Sequence, residues 1–340
     1  MEYLLSICIP TYNRDKYLSN LLESIISNVD SFNFNVEICI SDNGSTDDTE
    51  VVVKKASERI RLKYKRNGEN LGIPQNFLNV VEMAEGKYAW LIGDDDLLMG
   101  NSLDRLFRLL KSYPSVDFFY VNAFLLNKDF IFNCPQPFDI ENLPNSMKPF
   151  SSYQKTGELP FIDLINPKIS FDFLGGMYLS VFRREKWLKN INALNPLAVT
   201  DKRTFSHFDN TFPHIKIFAS AFRNSKAYFN YDPLIVSLSG AREWSPMYPL
   251  VRSIRLLEAL KEYRKNGLEL LKYIVYKNNA LHYFIPDFVR MVLNREKSGI
   301  HYVNILKLGW DNFIYPNVYL SPLYYLCRKA LTVLTKNKQD

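Results

Sequence analysis

The stretch YLLSICIPTYNRDKYLSNLLESIISNV, residues 3–29, changes its periodicity at one proline. Before Pro10 a short, mostly apolar run has the length of a buried strand. After it, apolar residues fall at 18, 21, 22, 25, 26 and 29, the spacing of one helix face. The unit then recurs. VEICIS (36–41) leads into STDDTEVVVKKASERI (45–60), where Ser45 and Thr46 are candidate caps and Asp47 and Asp48 are first-turn acids. IRLKYKRN (60–67) leads into IPQNFLNVVEMAEG (73–86), with Gly86 as the stop signal. YAWLI (88–92) leads into a helix over NSLDRLFRLLKSY (101–113), apolar at 103, 106, 107 and 110. Strand–helix alternation with such short connections requires right-handed crossovers, so the expected fold is α/β: a mainly parallel sheet flanked by helices.

Farther along, VDFFYVNAFLL (116–126) reads as a strand, and residues 130–168, with six prolines and little periodicity, as a long surface loop. A strand and helix follow in GGMYLSVFRREKWLKN (175–190). FSHFDNTFPHIKIFASAFRN (205–224) reads as a helix broken near Pro213, and KAYFNYDPLIVSL (226–238) as a strand. From about Pro249 the pattern is helical. The 340 residues are 47% apolar and 14% aromatic, which excludes a disordered chain. The four cysteines show no metal-like spacing and read as reduced thiols of a cytosolic protein. The first residues lack the basic start of a signal peptide, and no stretch reaches 18 clean apolar residues. Residues 251–340 carry 15 Lys and Arg against 7 Asp and Glu, whereas the first 250 carry 27 against 29. A basic, aromatic tail on a near-neutral body suggests an anionic surface as partner.

In an open parallel sheet, ligands bind outside the carboxyl ends of the strands. The segments expected there are PTYNR (10–14), SDNGS (41–45), RNGENLG (66–72) and GDDD (93–96), all polar and all on one edge. Three adjacent aspartates, Asp94, Asp95 and Asp96, repel one another unless something positive joins them. Clustered hard oxygens suit Mg²⁺ or Mn²⁺, which take one or two protein carboxylates plus substrate phosphates. Such a cation also stabilises a diphosphate leaving group.

SICIPTYNRDKYL, EICISDNGSTDDT, NLGIPQN and WLIGDDDLL, in that order and spacing, resemble the nucleotide-sugar-binding half of the family 2 glycosyltransferases. The LIGDDDLL form further resembles a subgroup that includes abequosyltransferase-like enzymes of bacterial surface polysaccharides. The resemblance implies a GT-A fold over residues 1–248, with a nucleotide-sugar half to about 110, an acceptor half over 111–248, and a helical C-terminal region over 249–340. It also implies inverting, metal-dependent transfer from a nucleotide-diphosphate sugar to a saccharide, free or linked to a polyprenyl diphosphate. Pro10, Thr11 and Tyr12 are then expected to line the nucleoside pocket, Asp42 to hydrogen-bond the base, and Asn70 to border the nucleotide. Lys65 and Arg66 either meet phosphate or form a solvated strand end. Family members commonly read D-x-D-D before the hydrophobic pair. Aligned on Leu97 and Leu98, Gly93 replaces the first aspartate, Asp94 takes the variable place next to the nucleotide sugar, and Asp95 and Asp96 hold the metal. The other register pairs Asp94 with Asp96.

The family's catalytic base is the aspartate of an E-D pair at a helix start. In SHFDNTFPHI (206–215) the matching residue is Asp209, preceded by Phe208; His214 and His207 are rivals, and a plain helix cap is the alternative for Asp209. Gly175 and Gly176 resemble the small-residue stretch beside the acceptor. The tail either lies against anionic headgroups on the cytoplasmic face of a membrane or caps the catalytic half. Competing classes are a non-catalytic sugar-nucleotide binder and a nucleotidyltransferase, the latter disfavoured because no Gly-rich loop follows the first strand. No nucleic-acid-binding module is recognisable.

Overall fold

The computed structural model describes residues 3–30 and 35–336. The first half alternates as expected. Strand β1 (Leu5–Thr11) is followed by helix α1 (Asp15–Asp30), β2 (Val36–Asp42) by α2 (Thr49–Ser57), and β3 (Lys63–Arg66) by α3 (Ile73–Met83). Strand β4 (Tyr88–Leu91) differs: the chain turns through the acidic triplet into a short β5 (Asp96–Leu98) before α4 (Ser102–Ser112). The order β3-β2-β1-β4 is wholly parallel. Leu103, Leu106, Phe107 and Leu110 of α4, and Leu18, Leu21, Leu22, Ile25 and Ile26 of α1, are buried in the main core.

Beyond α4 the sheet becomes mixed, with antiparallel strands added to the parallel ones. Strand β6 (Phe118–Asn127) runs into the short α5 (Lys128–Phe132), followed by two strands, β7 (Lys148–Pro149) and β8 (Gly157–Pro160). The prolines of the supposed long loop do not exclude strands, because these lie off the main strand path and are only two and four residues long. Strand β9 (Ser180–Arg183) inserts antiparallel between β4 and β6, and α6 (Arg184–Leu188) follows it directly. Then come α7 (Pro196–Val199), α8 (Phe208–Thr211) and α9 (Pro213–Phe222), the break between the last two falling at Phe212.

The long β10 (Lys226–Ser239) pairs parallel with β6, with a register shift between Asn230 and Ile235 around Pro233; the Asn122 amide donates to Tyr231 O across the gap. On its other side β10 pairs antiparallel with β5, Ser237 opposite Asp96. Four strand spacings separate β4 from β5, about 19 Å in a flat sheet, against at most about 18 Å for the five-residue step between them. The sheet therefore curls, and the curl brings the acidic turn over the carboxyl ends of β1 and β4.

The C-terminal region is helical: α10 (Tyr248–Leu250), a π-helical stretch Val251–Arg255, α11 (Leu256–Lys265), α12 (Leu270–Ala280), α13 (Phe284–Leu293), α14 (Ile305–Asn312) and α15 (Pro316–Lys336). Among the described residues no helix is long and apolar enough to cross a membrane.

Two local signals mean something different from their first reading. Ser45 and Thr46 do not cap α2, which starts later. Asp47 instead accepts from Thr49 N and Oγ1 with one oxygen and from Asp15 N with the other, fastening the starts of α2 and α1 together. Gly86 lies beyond the end of α3; a Cβ there would stand 2.5 Å from Ser6 Oγ and 2.7 Å from Ser6 N, so the glycine lets β1 approach.

Candidate active site

The acidic turn leaves β4 and is closed by Asp96, whose Oδ2 accepts from Gly93 N (2.8 Å). Thr11, the last residue of β1, donates its hydroxyl to Asp94 Oδ2 (2.8 Å). Two arginines balance the acids. Arg14 places Nε 3.0 Å from Asp94 Oδ1 and Nη2 3.3 Å from Asp95 Oδ2, while Arg242 Nε lies 3.8 Å from the same Asp95 oxygen. Arg14 also donates to Ala241 O, tying the first strand's end to the segment after β10. All three aspartates are buried. Burial, opposed by Arg14 and reinforced by Asp95, pushes the Asp94 carboxyl up to about 7. Burial and Asp95 push Asp96 up to about 8.

Asp96 Oδ1 is buried without a hydrogen-bond partner, and Asp95 Oδ2 accepts no hydrogen bond either, its neighbours being the Arg14 and Arg242 guanidiniums at 3.3 and 3.8 Å. A buried carboxylate oxygen without a hydrogen bond is costly, and clustered hard oxygens are the donor type that a divalent cation takes together with water and substrate oxygens. Among the described residues no group of three or more His, Cys, Asp or Glu side chains is placed to hold a metal ion by itself. The Gly93 position also has a steric reason: a Cβ there would meet Asp95 Oδ1 at 2.7 Å and Asp96 Oδ2 at 3.1 Å. A first aspartate at 93 would displace the carboxylates that this turn presents.

On the neighbouring strand end, Asp42 is fully buried; its Oδ2 accepts from Tyr64 Oη (2.7 Å) and its Oδ1 from Ser45 N (2.8 Å). Arg66 donates to Ser45 O, and its Nε lies 3.7 Å from Asp42. A set of amides knits the adjacent loops. Asn43 donates to Asn70 Oδ1 and accepts from Leu71 N and Asn67, Asn70 Oδ1 also accepts from Gly72 N, and Asn76 bonds Ser41 and Thr11 O. Pro10 and Thr11 are buried, and Tyr12 is exposed beside them.

The residues expected on the acceptor side form a second cluster. Asp209, in the first turn of α8, is buried; its Oδ2 accepts from Asn195 N and from Lys216 Nζ, both at 2.7 Å. It borders a cavity of about 410 Å³ between α8 and the C-terminal helices, whose wall includes Arg255, Glu258, Lys261 and Tyr302. The next residue, Asn210, lines a smaller pocket with Asn70 and Gly72, so α8 lies between the loop that carries Asn70 and that cavity. His214 is buried among Phe77, Phe212 and Phe218, its Nε2 3.1 Å from Gly175 O, and burial pushes its pKa down to about 4. His207 is exposed, 3.6 Å from Asp201. Gly175 and Gly176 close a tight loop around Asp172, whose carboxylate accepts from Gly176 N and Ser170 Oγ. A Cβ at Gly175 would press on the Phe212 ring at 3.3 Å.

The sequence of residues 6–157 matches the profile of glycosyl transferase family 2. The chain carries a family 2 glycosyltransferase domain. It is 32% identical over 248 residues to the abequosyltransferase RfbV of Salmonella typhimurium, covering 68% of this chain and 66% of that protein. It is 30% identical to the Campylobacter jejuni GalNAc(5)-diNAcBac-PP-undecaprenol beta-1,3-glucosyltransferase, covering 53% and 52%. The chain thus spans from about half to about two-thirds of the length of these relatives. In fold it resembles Staphylococcus aureus TarS residues 1–349 in complex with UDP, with a TM-score of 0.53 at 18% identity, covering 83% of this chain and 71% of that one. The architecture is GT-A-like: a mixed sheet with flanking helices and a helical C-terminal region.

Sequence reasoning missed both arginines, Arg14 inside the family 2 match and Arg242 beyond it. Arg14 stood in the quoted PTYNR segment, and a cation just past a strand end facing an acidic triplet is a usable signal. Arg242 had none, because only the β10–β5 pairing brings it near Asp95. Asn43 and Asn76 were also missed; their signal is an unusual density of amides in segments expected at one sheet edge.

Proposed function

We propose that this protein is a metal-dependent, inverting glycosyltransferase of bacterial surface-polysaccharide assembly, moving a sugar from a nucleotide-diphosphate donor to a saccharide carried on a polyprenyl diphosphate. The observation that carries the reading is the buried Asp94–Asp96 turn, with oxygens on Asp95 and Asp96 that accept no hydrogen bond, curled over the strand ends where an α/β sheet takes its ligand. The relatives named for abequosyl transfer and for glucosyl transfer to an undecaprenol-linked glycan support the reaction class and the acceptor.

In this reading Pro10, Thr11 and Tyr12 line the nucleoside, and Asp42, held by Tyr64 and Ser45 N, offers a fixed acceptor to a base N–H. Asp95 and Asp96 hold Mn²⁺ or Mg²⁺, which when bound neutralises charge on the departing diphosphate. Arg14 and Arg242 keep the acids compensated before the donor arrives. Asp209 takes the proton of the acceptor hydroxyl. Both of its hydrogen bonds fall on Oδ2, which leaves Oδ1 to receive that proton. His214, sealed beneath Gly175 and neutral, positions the glycine loop instead.

The test is turnover of a panel of nucleotide-diphosphate sugars with Mn²⁺ or Mg²⁺, read as release of nucleoside diphosphate. One donor is expected to turn over, with EDTA stopping the reaction. Tight binding of a donor that is never turned over, with or without acceptor glycans, would establish the non-catalytic binder instead.

A further inference from the structure

We propose that the outer faces of the last four helices form a docking surface for an anionic lipid bilayer. The inference stands apart from the transferase reading, because apart from Lys307, which also borders the cavity beside Asp209, none of these residues belongs to the donor or acceptor clusters. Scattered exposed apolar side chains are ordinary on a protein surface; a repeated stripe of them is not. On α14 and the turn after it, Ile305, Leu306, Trp310, Phe313 and Ile314 are all exposed, Leu306 at 87% and Trp310 at 77%. Their spacing places them on one side of the helix, opposite Leu308 and Asn312, which line the cavity beside Asp209. Helix α15 repeats the pattern at Tyr319, Leu320, Leu323 and Leu326. Helix α12 presents Leu271 at 77%, and the end of α13 presents Leu293 at 82%.

Charge selects the occupant. Over residues 289–329 the exposed cations are Arg290, Arg295, Lys297, Lys307, Arg328 and Lys329, and the exposed carboxylate is Glu296 alone. A second copy of the chain, docked symmetrically, would bring its own six cations against these. A bilayer with anionic headgroups instead satisfies both features, receiving the Leu and Trp faces at the acyl boundary and pairing the cations at the surface. No described helix spans a membrane, so the contact is interfacial.

The experiment is co-sedimentation of the full chain with vesicles of phosphatidylcholine alone or with roughly 30% phosphatidylglycerol, at low and high salt. The parent is expected to pellet with the anionic vesicles and to be partly released by salt. The double variant Leu306→Ser/Trp310→Ser should lose about tenfold or more in partitioning. Arg295→Gln/Lys297→Gln should lose the preference for anionic lipid. Both variants keep nucleotide binding, since the positions are solvent-facing and away from Asp42 and Asp95. A parent that stays in the supernatant with both vesicle types overturns the proposal. So does a concentration-dependent dimer in sedimentation velocity that Leu306→Ser/Trp310→Ser dissociates, which would assign the face to a second copy. Either failure leaves turnover of nucleotide sugars, and so the transferase reading, untouched.

Discussion

Helices α4 and α14 are both amphipathic, and they dispose of their apolar residues in opposite ways. In α4, Leu103, Leu106, Phe107 and Leu110 are all buried in the main core, and the polar side faces water. In α14, Ile305, Leu306 and Trp310 face outward. The first helix is completed by the fold; among the described residues nothing covers the outer face of the second. The polar residues reverse as well. At the sheet edge, carboxylates and amides are buried and held by one another or by arginines, whereas over residues 289–329 the cations Arg290, Arg295, Lys297, Lys307, Arg328 and Lys329 are exposed. Buried carboxylates cluster where chemistry is proposed, and exposed apolar side chains where docking is proposed.

The sharpest way to break the sheet-edge side is Asp95→Asn. Turnover is expected to fall about 10⁴-fold or more, because several kcal/mol of leaving-group stabilisation depend on that ligand, while circular dichroism remains that of the parent. Asp96→Asn should also be severe and Asp94→Asn mild; the reverse order would favour the Asp94/Asp96 pair. Asp209→Asn should cost about 10²–10⁴-fold with nucleotide affinity unchanged, the range of a lost general base. The product anomer should be opposite to the donor's. A comparable loss in His214→Ala, with Asp209→Asn near parental rate, would move the base to His214.

The first half of the fold was legible because each strand run is bounded by polar turn residues and each helix repeats its apolar face at 3.6. The acidic triplet was legible as a site for the same reason: it interrupts that pattern where a ligand cleft must open. What the residues did not disclose was long-range pairing. Strand β9 is four residues long, and nothing local to it dictates that it runs antiparallel beside β4. Strands β7 and β8 are too short and proline-bounded to show alternation. Arg242 meets Asp95 only because β10 carries the chain back to β5. The outward faces of α12 to α15 were hidden for a simpler reason: an amphipathic pattern announces two faces without stating which of them is covered.

Smaller effects sharpen the comparison. Leu106→Ala, which empties a fully buried site in α4, should destabilise by about 2–5 kcal/mol in urea unfolding. His214 supplies a pH dependence with a definite sign. Its folded pKa of about 4 lies below the 6.5 of an unfolded histidine. The unfolded chain therefore binds the extra proton in between, and this contribution is complete above pH 6.5 and is lost as pH falls toward 4, by up to about 3 kcal/mol. His214→Gln should flatten that limb of the stability profile. Least of all, Leu306→Ala, at the solvent-facing position of α14, should change stability by less than about 0.5 kcal/mol. A loss as large as that of Leu106→Ala would mean that α14 is already covered in the isolated protein.

The central claim is that the buried acidic turn holds a divalent cation together with the diphosphate of a sugar nucleotide. Calorimetric titration of nucleoside diphosphates into the full chain, with and without Mn²⁺, tests it most directly. The account predicts that one nucleoside diphosphate binds about tenfold or more tightly with Mn²⁺ in the parent, and that Asp95→Asn abolishes the gain. Equal affinity with and without the cation, or an unchanged gain in Asp95→Asn, would contradict it.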